Sequence, residues 1–233
     1  MLEPTDSGSQ SHGGPRFGGP ISASARTPTG VATTLFSLPR TSVLLAIALS
    51  GLAWDLWSKH QVFANLGCPG VLPGPGVHPV WKGQIFGVAL QFQLETTLNF
   101  GALWGMGQGQ TWFFASLSVV AVVVIGYFIR NGQATAVWWL TIATGLLLAG
   151  TLGNLFDRLG LHGLKDAQGE TIRAVRDFLD FWFFGNFHWA TFNFADTYLV
   201  VGAIMLVLHS FFVPEDEAPT ATSSAPAPLE STP

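Results

Sequence analysis

Ionisable side chains lie within long apolar stretches of this sequence. Asp55 and Lys59 are four residues apart, a spacing that places both on one face of a helix. Asp196 follows Phe194 and Ala195 and has no basic neighbour in the sequence. A charge inside an apolar segment of this kind costs several kcal/mol unless it is paired or functional. Asp55 and Lys59 fit a structural ion pair at the membrane interface as well as they fit a functional role. Asp196 is the stronger candidate for function.

Carboxyl groups are the reactive groups that this sequence offers most plainly. Cys68, the only cysteine, lies in a Gly/Pro-rich loop without a basic partner, so we expect an inert thiol. The six histidines are scattered without pairs at helical spacing, and no G-x-S-x-G motif occurs. Two carboxyl groups that share one proton can activate a water and then protonate a leaving amine, with no metal or cofactor. The sequence therefore favours carboxylate chemistry.

The composition places these carboxyl groups in a membrane protein. Of the 233 residues, 48% are hydrophobic and 10% are charged, whereas a soluble domain carries about 25% charged residues. The net charge of −4 provides no basic field that would attract a nucleic acid. This composition excludes a disordered protein, a nucleic-acid-binding protein and a typical cytosolic enzyme.

Four apolar segments are each long enough to cross a bilayer, which takes about 20 residues in a helix. They run over residues 42–66, 111–129, 136–156 and 190–213. We predict a mainly α membrane domain over residues 41–213, with four transmembrane helices. The polar residues 1–40 and 214–233 are predicted to be disordered tails.

The links between these helices differ in length and composition. Residues 130–133 are so short a link that helices two and three should form an antiparallel hairpin. The link over residues 67–110 alternates polar and apolar side chains at 88–95, which predicts a small β-sheet between helices one and two. Residues 157–189 hold most of the remaining charge. The charged residues of helices one, three and four therefore gather at one end of the domain, beside the two long links.

The charge count does not decide the orientation of the helices. An even number of spans places both tails and residues 130–133 on one side and the two long links on the other. Four basic residues lie on the side of the tails and six lie on the side of the links. The usual excess of Lys and Arg in the cytoplasm therefore favours neither orientation.

Five short motifs occur in an order that resembles one family, lipoprotein signal peptidase, also called signal peptidase II. They are D-L-W-S-K at 55–59, N-F-G-A-L-W at 99–104, G-N-L-F-D-R at 153–158, V-R-D-F at 175–178 and F-N-F-A-D-T at 192–197. Each motif alone is weak evidence, but the five in this order are strong evidence. The resemblance implies a bacterial inner-membrane aspartic peptidase with four transmembrane helices and a small extracytoplasmic β-sheet.

The resemblance also implies roles for individual residues. Asp177 and Asp196 would be the catalytic pair, with no metal and no cofactor. Asp157 would have a structural role and pair within its own motif, and Asp180 would point away from the site. The residues that would shape the site, bind substrate or support it are Asp55, Lys59, Asn99, Gly101, Asn154, Arg158 and Asn193.

The implied reaction is removal of the signal peptide from diacylglyceryl-modified prolipoproteins, by a cut just before the lipid-modified cysteine. The implied partners are these prolipoproteins and membrane lipids, and the implied state is a monomer. The site would face the extracytoplasmic side, with Cys68 and Lys82 outside and both tails in the cytoplasm. Cys68 would then be a natural probe of the orientation if its loop is exposed.

The sequence departs from the family pattern at a few positions. The gap between Asp157 and Asp177 is longer than usual, with a polar insertion at about 160–175, which makes Asp180 a competitor for the position of Asp177. Leu103 stands where the family usually has a small residue, and Leu56 replaces a polar residue.

Other classes of membrane protein compete with a peptidase. A proton-coupled carrier could use Asp55, Asp157 and Asp196 as a relay, but a relay places carboxylates at several depths, whereas these gather at one end. A presenilin-like protease would carry a G-x-G-D motif, which is missing. A non-catalytic membrane scaffold stays open on the sequence alone.

Overall fold

The computed structural model describes residues 38–101 and 109–212, and within these ranges the chain forms four long helices and four β-strands. The helices are α1 (Leu38–Leu66), α2 (Thr111–Arg130), α3 (Trp138–Arg158) and α4 (Phe194–Phe212). The strands are β1 (Val77–Ile85), β2 (Val88–Asn99), β3 (Val175–Phe183) and β4 (Phe187–His188).

All four helices are long and apolar enough to span a membrane, as the sequence predicts. α1 includes residues 38–41, ahead of the segment over 42–66 that the sequence predicts, so residues 38–40 are helical rather than part of the predicted N-terminal tail. α4 begins at Phe194 rather than at 190, because the residues just before it bond to β3 instead. The predicted tails otherwise lie outside the described residues, so their predicted disorder stays a prediction.

α3 is the helix against which the other three pack. Its glycines allow this close packing, as small residues commonly do between membrane helices. A Cβ atom added at Gly150 would lie 2.4 Å from the backbone oxygen of Ala195 in α4. A Cβ atom added at Gly153 would lie 2.5 Å from Oδ2 of Asp55 in α1. The second half of α3 therefore packs closely against both helices that carry candidate site residues.

The small sheet contains four antiparallel strands in the order β1-β2-β3-β4. β1 and β2 lie between α1 and α2, where the alternating pattern predicted them. β3 and β4 come from the link between α3 and α4, so the sheet is larger than predicted. The register is interrupted between Leu94 and Thr97 and then places Thr97 opposite Asp177. The sheet thus brings the end of β2 to the start of β3.

The segment that leads from the β3–β4 hairpin to α4 pairs with β3. The backbone N–H groups of Phe178 and Leu179 donate to the carbonyl of Phe192 at 3.0 and 2.8 Å. The N–H of Phe192 donates back to Leu179 at 3.1 Å. These bonds hold the first turn of α4 beside Asp177, which is what positions the candidate site.

Candidate active site

A fully buried lysine lies between two fully buried aspartates on neighbouring helices. Nζ of Lys59 is 2.8 Å from Oδ2 of Asp55 in its own helix and 3.2 Å from Oδ2 of Asp157 in α3. All three side chains are completely excluded from the surface. Buried charges of opposite sign need this kind of pairing, since each alone would carry a large desolvation cost. The sequence alone allowed Asp55 and Lys59 to be an ion pair at the membrane interface. The structure instead places both side chains in the protein interior.

Asp157 pairs outside its own motif, contrary to our expectation. Its Oδ1 accepts hydrogen bonds from Nε and Nη2 of Arg176 at 3.0 and 2.8 Å, and its Oδ2 accepts the backbone N–H of Arg176 at 3.0 Å. Consecutive residues on a helix do not face each other, so Asp157 points toward Lys59 and Arg176 while Arg158 points elsewhere. The structural role expected for Asp157 fits these bonds.

Asp55 also fastens the start of α4. Its Oδ1 accepts the backbone N–H of Ala195 at 2.9 Å. The first N–H groups of a helix have no partner within the helix, so a carboxylate there satisfies one of them. The bond fixes the turn of α4 that carries Asp196 relative to α1.

Two asparagine side chains connect this buried charge to Asp177 and Asp196. Nδ2 of Asn154 donates to Oδ1 of Asp196 at 2.7 Å, and Nδ2 of Asn193 donates to Oδ1 of Asp177 at 2.6 Å. The carbonyl oxygen of Asn154 accepts from Lys59 and from Asn193, each at 3.3 Å. Oδ1 of Asn193 accepts the backbone N–H of Asp196 at 3.0 Å, so the two amides hold both aspartates in place.

Asp177 is buried and Asp196 is half-buried, so the two carboxyl groups differ in environment. Burial, and next the negative charge of Asp196, raise the pKa of Asp177 to about 8. Hydrogen bonds from Asn193 and Asn99 favour the ionised form and oppose this rise in pKa. The raised pKa favours the protonated form of Asp177, beside a carboxyl group that water can reach.

Asn99 and Gly101 complete the site from the end of β2. Nδ2 of Asn99 donates to Oδ2 of Asp177 at 3.1 Å, and the backbone N–H of Gly101 donates to Oδ1 of Asn99 at 2.9 Å. The glycine thus orients the amide that holds the aspartate. Leu103 lies outside the described residues.

Arg158 supplies the positive charge near the two carboxyl groups. Its guanidinium interacts electrostatically with Asp196 and Asp177 and lies 5.6 Å from the ring centroid of Phe114. Asp196, which has no basic neighbour in the sequence, therefore gains one from α3. The structure brings together every site residue that the motifs indicated.

Asp180 lies on the other face of β3, as expected. A separation of three residues on a strand turns two side chains to opposite faces. Asp180 bonds to Gln93, Trp182 and His188, whereas Asp177 bonds to Asn99 and Asn193. The insertion has therefore not displaced Asp177 from the site.

The insertion forms a loop beside β2. The backbone N–H of Ile172 donates to the carbonyl of Leu164 at 3.0 Å, which closes the loop. The guanidinium of Arg173 lies 5.3 Å from the ring centroid of Trp112, in the first turn of α2. The loop helps to line a cavity of about 750 Å³, and neither Asp177 nor Asp196 lines it.

Cys68 is buried, at 3% exposure, in a small apolar cluster with Phe63 and Phe178. Burial raises the pKa of its thiol, which keeps the reactive thiolate scarce at neutral pH. The expected inertness of Cys68 fits this environment, but its use as an exposed probe does not.

Known proteins resemble the chain in both sequence and fold. Residues 47–212 match the family model described as signal peptidase (SPase) II. The chain is 35% identical over 184 residues to the lipoprotein signal peptidase of Rhodopirellula baltica, which covers 79% of this chain and 78% of that protein. The chain belongs to the signal peptidase II family.

Further matches agree with this family. The lipoprotein signal peptidase of Escherichia coli is 31% identical over 176 residues, which cover 71% of this chain and 93% of that protein. Two solved structures described as a bacterial membrane enzyme, obtained by the in meso method, superpose with TM-scores of 0.55 and 0.54. Both cover 73% of this chain at 24% and 23% identity, which supports the fold alone. As a member of the signal peptidase II family, the chain is a membrane protease.

Sequence reasoning missed Arg176 as a member of the buried charge cluster. Arg176 directly precedes Asp177, and adjacent residues on a strand face opposite sides. If Asp177 faces the site, Arg176 must face away from the site. Because the strand is buried, the guanidinium of Arg176 then needs an acidic partner. That alternation was the available signal, and Asp157 is the partner.

We predict that Lys59→Met strongly destabilises the folded protein. The substitution leaves Asp55 and Asp157 without their shared cation, and removing one partner of a buried ion pair costs about 3–5 kcal/mol. Thermal unfolding of the purified protein in detergent should show a melting temperature lower by at least about 6–12 °C. Lys82→Met, at an exposed position on β1, is the matched control and should change the melting temperature little. Equal effects of the two substitutions would contradict the proposed importance of the buried pair.

Proposed function

We propose that this chain removes the signal peptide from diacylglyceryl-modified prolipoproteins, by hydrolysis of the bond before the lipid-modified cysteine. The observation that carries the proposal is the pairing of Asp177 with Asp196 through Asn193 and Asn154, at one end of four membrane-length helices. The relatives named lipoprotein signal peptidase support this substrate class. A substrate anchored by acyl chains would present its scissile bond at the membrane surface, where such a pair could reach it.

In the proposed reaction, the half-buried Asp196 acts first as the general base. It removes a proton from a water placed between the two carboxyl groups, and the water oxygen attacks the scissile carbonyl carbon. Protonated Asp177 donates its proton to the carbonyl oxygen, which avoids a free oxyanion. The proton then held by Asp196 moves to the leaving amine, the C–N bond breaks, and Asp177 recovers its proton as the new carboxyl group forms. No metal or cofactor takes part.

The neighbouring residues have supporting parts in this proposal. Asn154 and Asn193 hold the two carboxyl groups in place and contact the substrate. Arg158 stabilises negative charge that develops near Asp196. Asp55 and Lys59 brace the start of α4 and the end of α3, while Asn99 orients Asp177.

The buried ion pairs argue against the carrier alternative. A proton relay needs carboxyl groups that exchange protons and become accessible in turn. Asp55 and Asp157 are instead fully buried and held by Lys59 and Arg176. Only Asp177 and Asp196 stay available for chemistry among the carboxyl groups that the motifs indicated.

We expect Asp177→Asn and Asp196→Asn each to abolish most of the activity. An amide can neither accept the water proton nor donate an acid proton, and loss of such a group costs about 100- to 10,000-fold in rate. The measurement is conversion of a purified, lipidated prolipoprotein, followed by the gel shift of the product. Asp166→Asn, in the insertion loop, is the matched control and should retain full activity. Full activity of Asp177→Asn at an unchanged melting temperature would reject the assignment.

The pH dependence of kcat/KM should show an alkaline limb with a midpoint near 8. Asp177 must be protonated to act as the acid, so the rate falls as pH rises through its raised pKa. Asn99→Ala removes a hydrogen bond to the ionised form, which raises the pKa of Asp177 further and moves the limb to higher pH. Asn65→Ala, near the exposed end of α1, is the control and should leave the limb in place. A limb that moves to lower pH in Asn99→Ala would contradict the role of Asp177 as the acid.

We propose that both termini lie in the cytoplasm of a bacterial cell and that the site faces the extracytoplasmic side of the inner membrane. A prolipoprotein presents its cleavage site on that side after export begins, and Asp177 with Asp196 must then lie there. Four spans return both ends to the opposite side. Arg40 and Arg130, close to helix ends on the tail side, agree with this orientation.

Cysteine labelling in intact cells tests the orientation. Cys68 is too buried to serve, so the probes are Ala167→Cys and Asn131→Cys, both at exposed positions, in a Cys68→Ala background. A membrane-impermeant maleimide should label Ala167→Cys in intact cells and Asn131→Cys only after lysis. The reverse pattern would overturn the orientation and the reaction that depends on it.

A further inference from the structure

Both carboxyl groups of the proposed site belong to one continuous stretch of chain. Asp177 is on β3 and Asp196 is in the first turns of α4, and the β3–β4 hairpin connects them. The distance between the two carboxyl groups therefore depends on how the returning arm of the hairpin is held against β3. β4 contributes little by itself, because it has only two residues and pairs with β3 at Trp182 and Phe183.

A cluster of side chains on the far face of the sheet joins the two arms of this hairpin. We call it the clasp: Asp180 and Trp182 on β3, His188 on β4 and Gln93 on β2. Nε2 of His188 lies 2.5 Å from Oδ1 of Asp180. Oδ2 of Asp180 accepts from Nε1 of Trp182 at 2.9 Å and from Nε2 of Gln93 at 2.7 Å. Asp180 is fully buried, whereas the side chain of His188 is 40% exposed and closes the cluster at the surface.

The His188 ring is itself held in a fixed orientation. The Trp182 ring stacks on it with centroids 4.4 Å apart and planes 20° from parallel. Such stacking, together with the bond to Asp180, leaves the imidazole little freedom. The clasp thus connects the arm of the hairpin that carries Asp177 to the arm that leads to Asp196.

We propose that Asp180 and His188 are positioning residues for the reaction, which hold Asp177 and Asp196 at their working separation. The inference rests on the proposed peptidase function of that pair. Neither residue touches Asp177, because Asp180 faces the opposite side of β3. The effect passes through the backbone: the N–H of Trp189 donates to Phe181 at 2.9 Å just beyond the clasp, and Phe192 then bonds to Leu179.

Hydrogen bonding, rather than a metal, holds the clasp together. Ligand atoms of Glu95, Asp180 and His188 lie within 4.8 Å of one another, a spacing that could suit a cation. The oxygens of Asp180, however, are already approached by two N–H donors and the imidazole. Gln93 also donates to Glu95 at 3.2 Å, which places an amide between the two carboxylates.

The test compares kcat and KM of His188→Leu and His188→Gln on a lipidated prolipoprotein. His188→Leu removes the bond to Asp180 and should lower kcat by about 10- to 100-fold with KM unchanged, because misplacement of reacting groups by about 1 Å has effects of this size. The amide nitrogen of Gln reaches the position of Nε2, so His188→Gln should recover most of kcat. His78→Leu, at an exposed position on β1, is the matched control and should keep the wild-type kcat.

The pH profile separates positioning from simple stability. A loosened hairpin admits water to Asp177, which faces Asp196, Lys59 and Arg158 on three helices. Its pKa then falls toward the ordinary value, and the alkaline limb of His188→Leu should move to lower pH. If His188→Leu does not fold, Asp180→Asn, which keeps the size of the side chain, should show a lower kcat and the same direction of shift.

Several results would overturn the proposal. A lower melting temperature with unchanged kcat per folded enzyme and an unchanged limb would show that the clasp serves stability alone. Loss of activity with EDTA, restored by zinc, would show that a metal holds it. If wild-type enzyme fails to convert the prolipoprotein, the proposed function fails; if wild type converts it and His188→Leu does so equally well, only the clasp proposal fails.

Discussion

The buried ammonium group of Lys59 is the constraint on which the rest of the site depends. It is held by Asp55 from its own helix and by Asp157 from α3, with no exposed atom in any of the three side chains. Burial makes this arrangement close to obligatory, because losing one partner leaves an uncompensated charge in the interior. Each aspartate uses its remaining oxygen to fasten another element: Asp55 holds the start of α4 through Ala195, and Asp157 holds β3 through Arg176. This buried charge cluster thus fixes α1, α3, α4 and β3 relative to one another.

The amide side chains of Asn154 and Asn193 separate the Lys59 charge from the two carboxyl groups of the site. The amide of Asn154 accepts a hydrogen bond from Lys59 and donates one to Asp196. Lys59 therefore forms no direct ion pair with Asp196. Direct contact with Lys59 would favour ionisation of both carboxyl groups. Separation by amides lets burial dominate at Asp177, which keeps its proton at neutral pH. The two carboxyl groups can then differ, as acid–base chemistry at a shared water requires.

The sequence could predict the four helices and the members of the site because both follow from local patterns. Four apolar segments of membrane length gave the helices, and the motif order gave residues from Asp55 to Asp196 that the structure brings together. Their partners could not be predicted in the same way. Asp157 pairs with Arg176 across 19 positions, which depends on the path of the insertion. β3 was missed because its run of aromatic residues has no alternation, and the side chain of Asn193, just before α4, bonds to Asp177 across 16 positions.

Strand β3 shows how few residues are needed to combine these functions. Its period of two turns Arg176 toward the buried charge and Asp177 toward the site, and the same alternation turns Asp180 toward His188 on the far face. A shift of the strand by one residue would exchange these faces and leave Arg176, Asp177 and Asp180 without their polar partners. The register is therefore specified by these polar partners together with the packing of Phe178, which is buried beside Phe63. This explains how a polar insertion can precede β3 while Asp177 stays beside Asp196: these contacts select one register, and the loop accommodates the extra length.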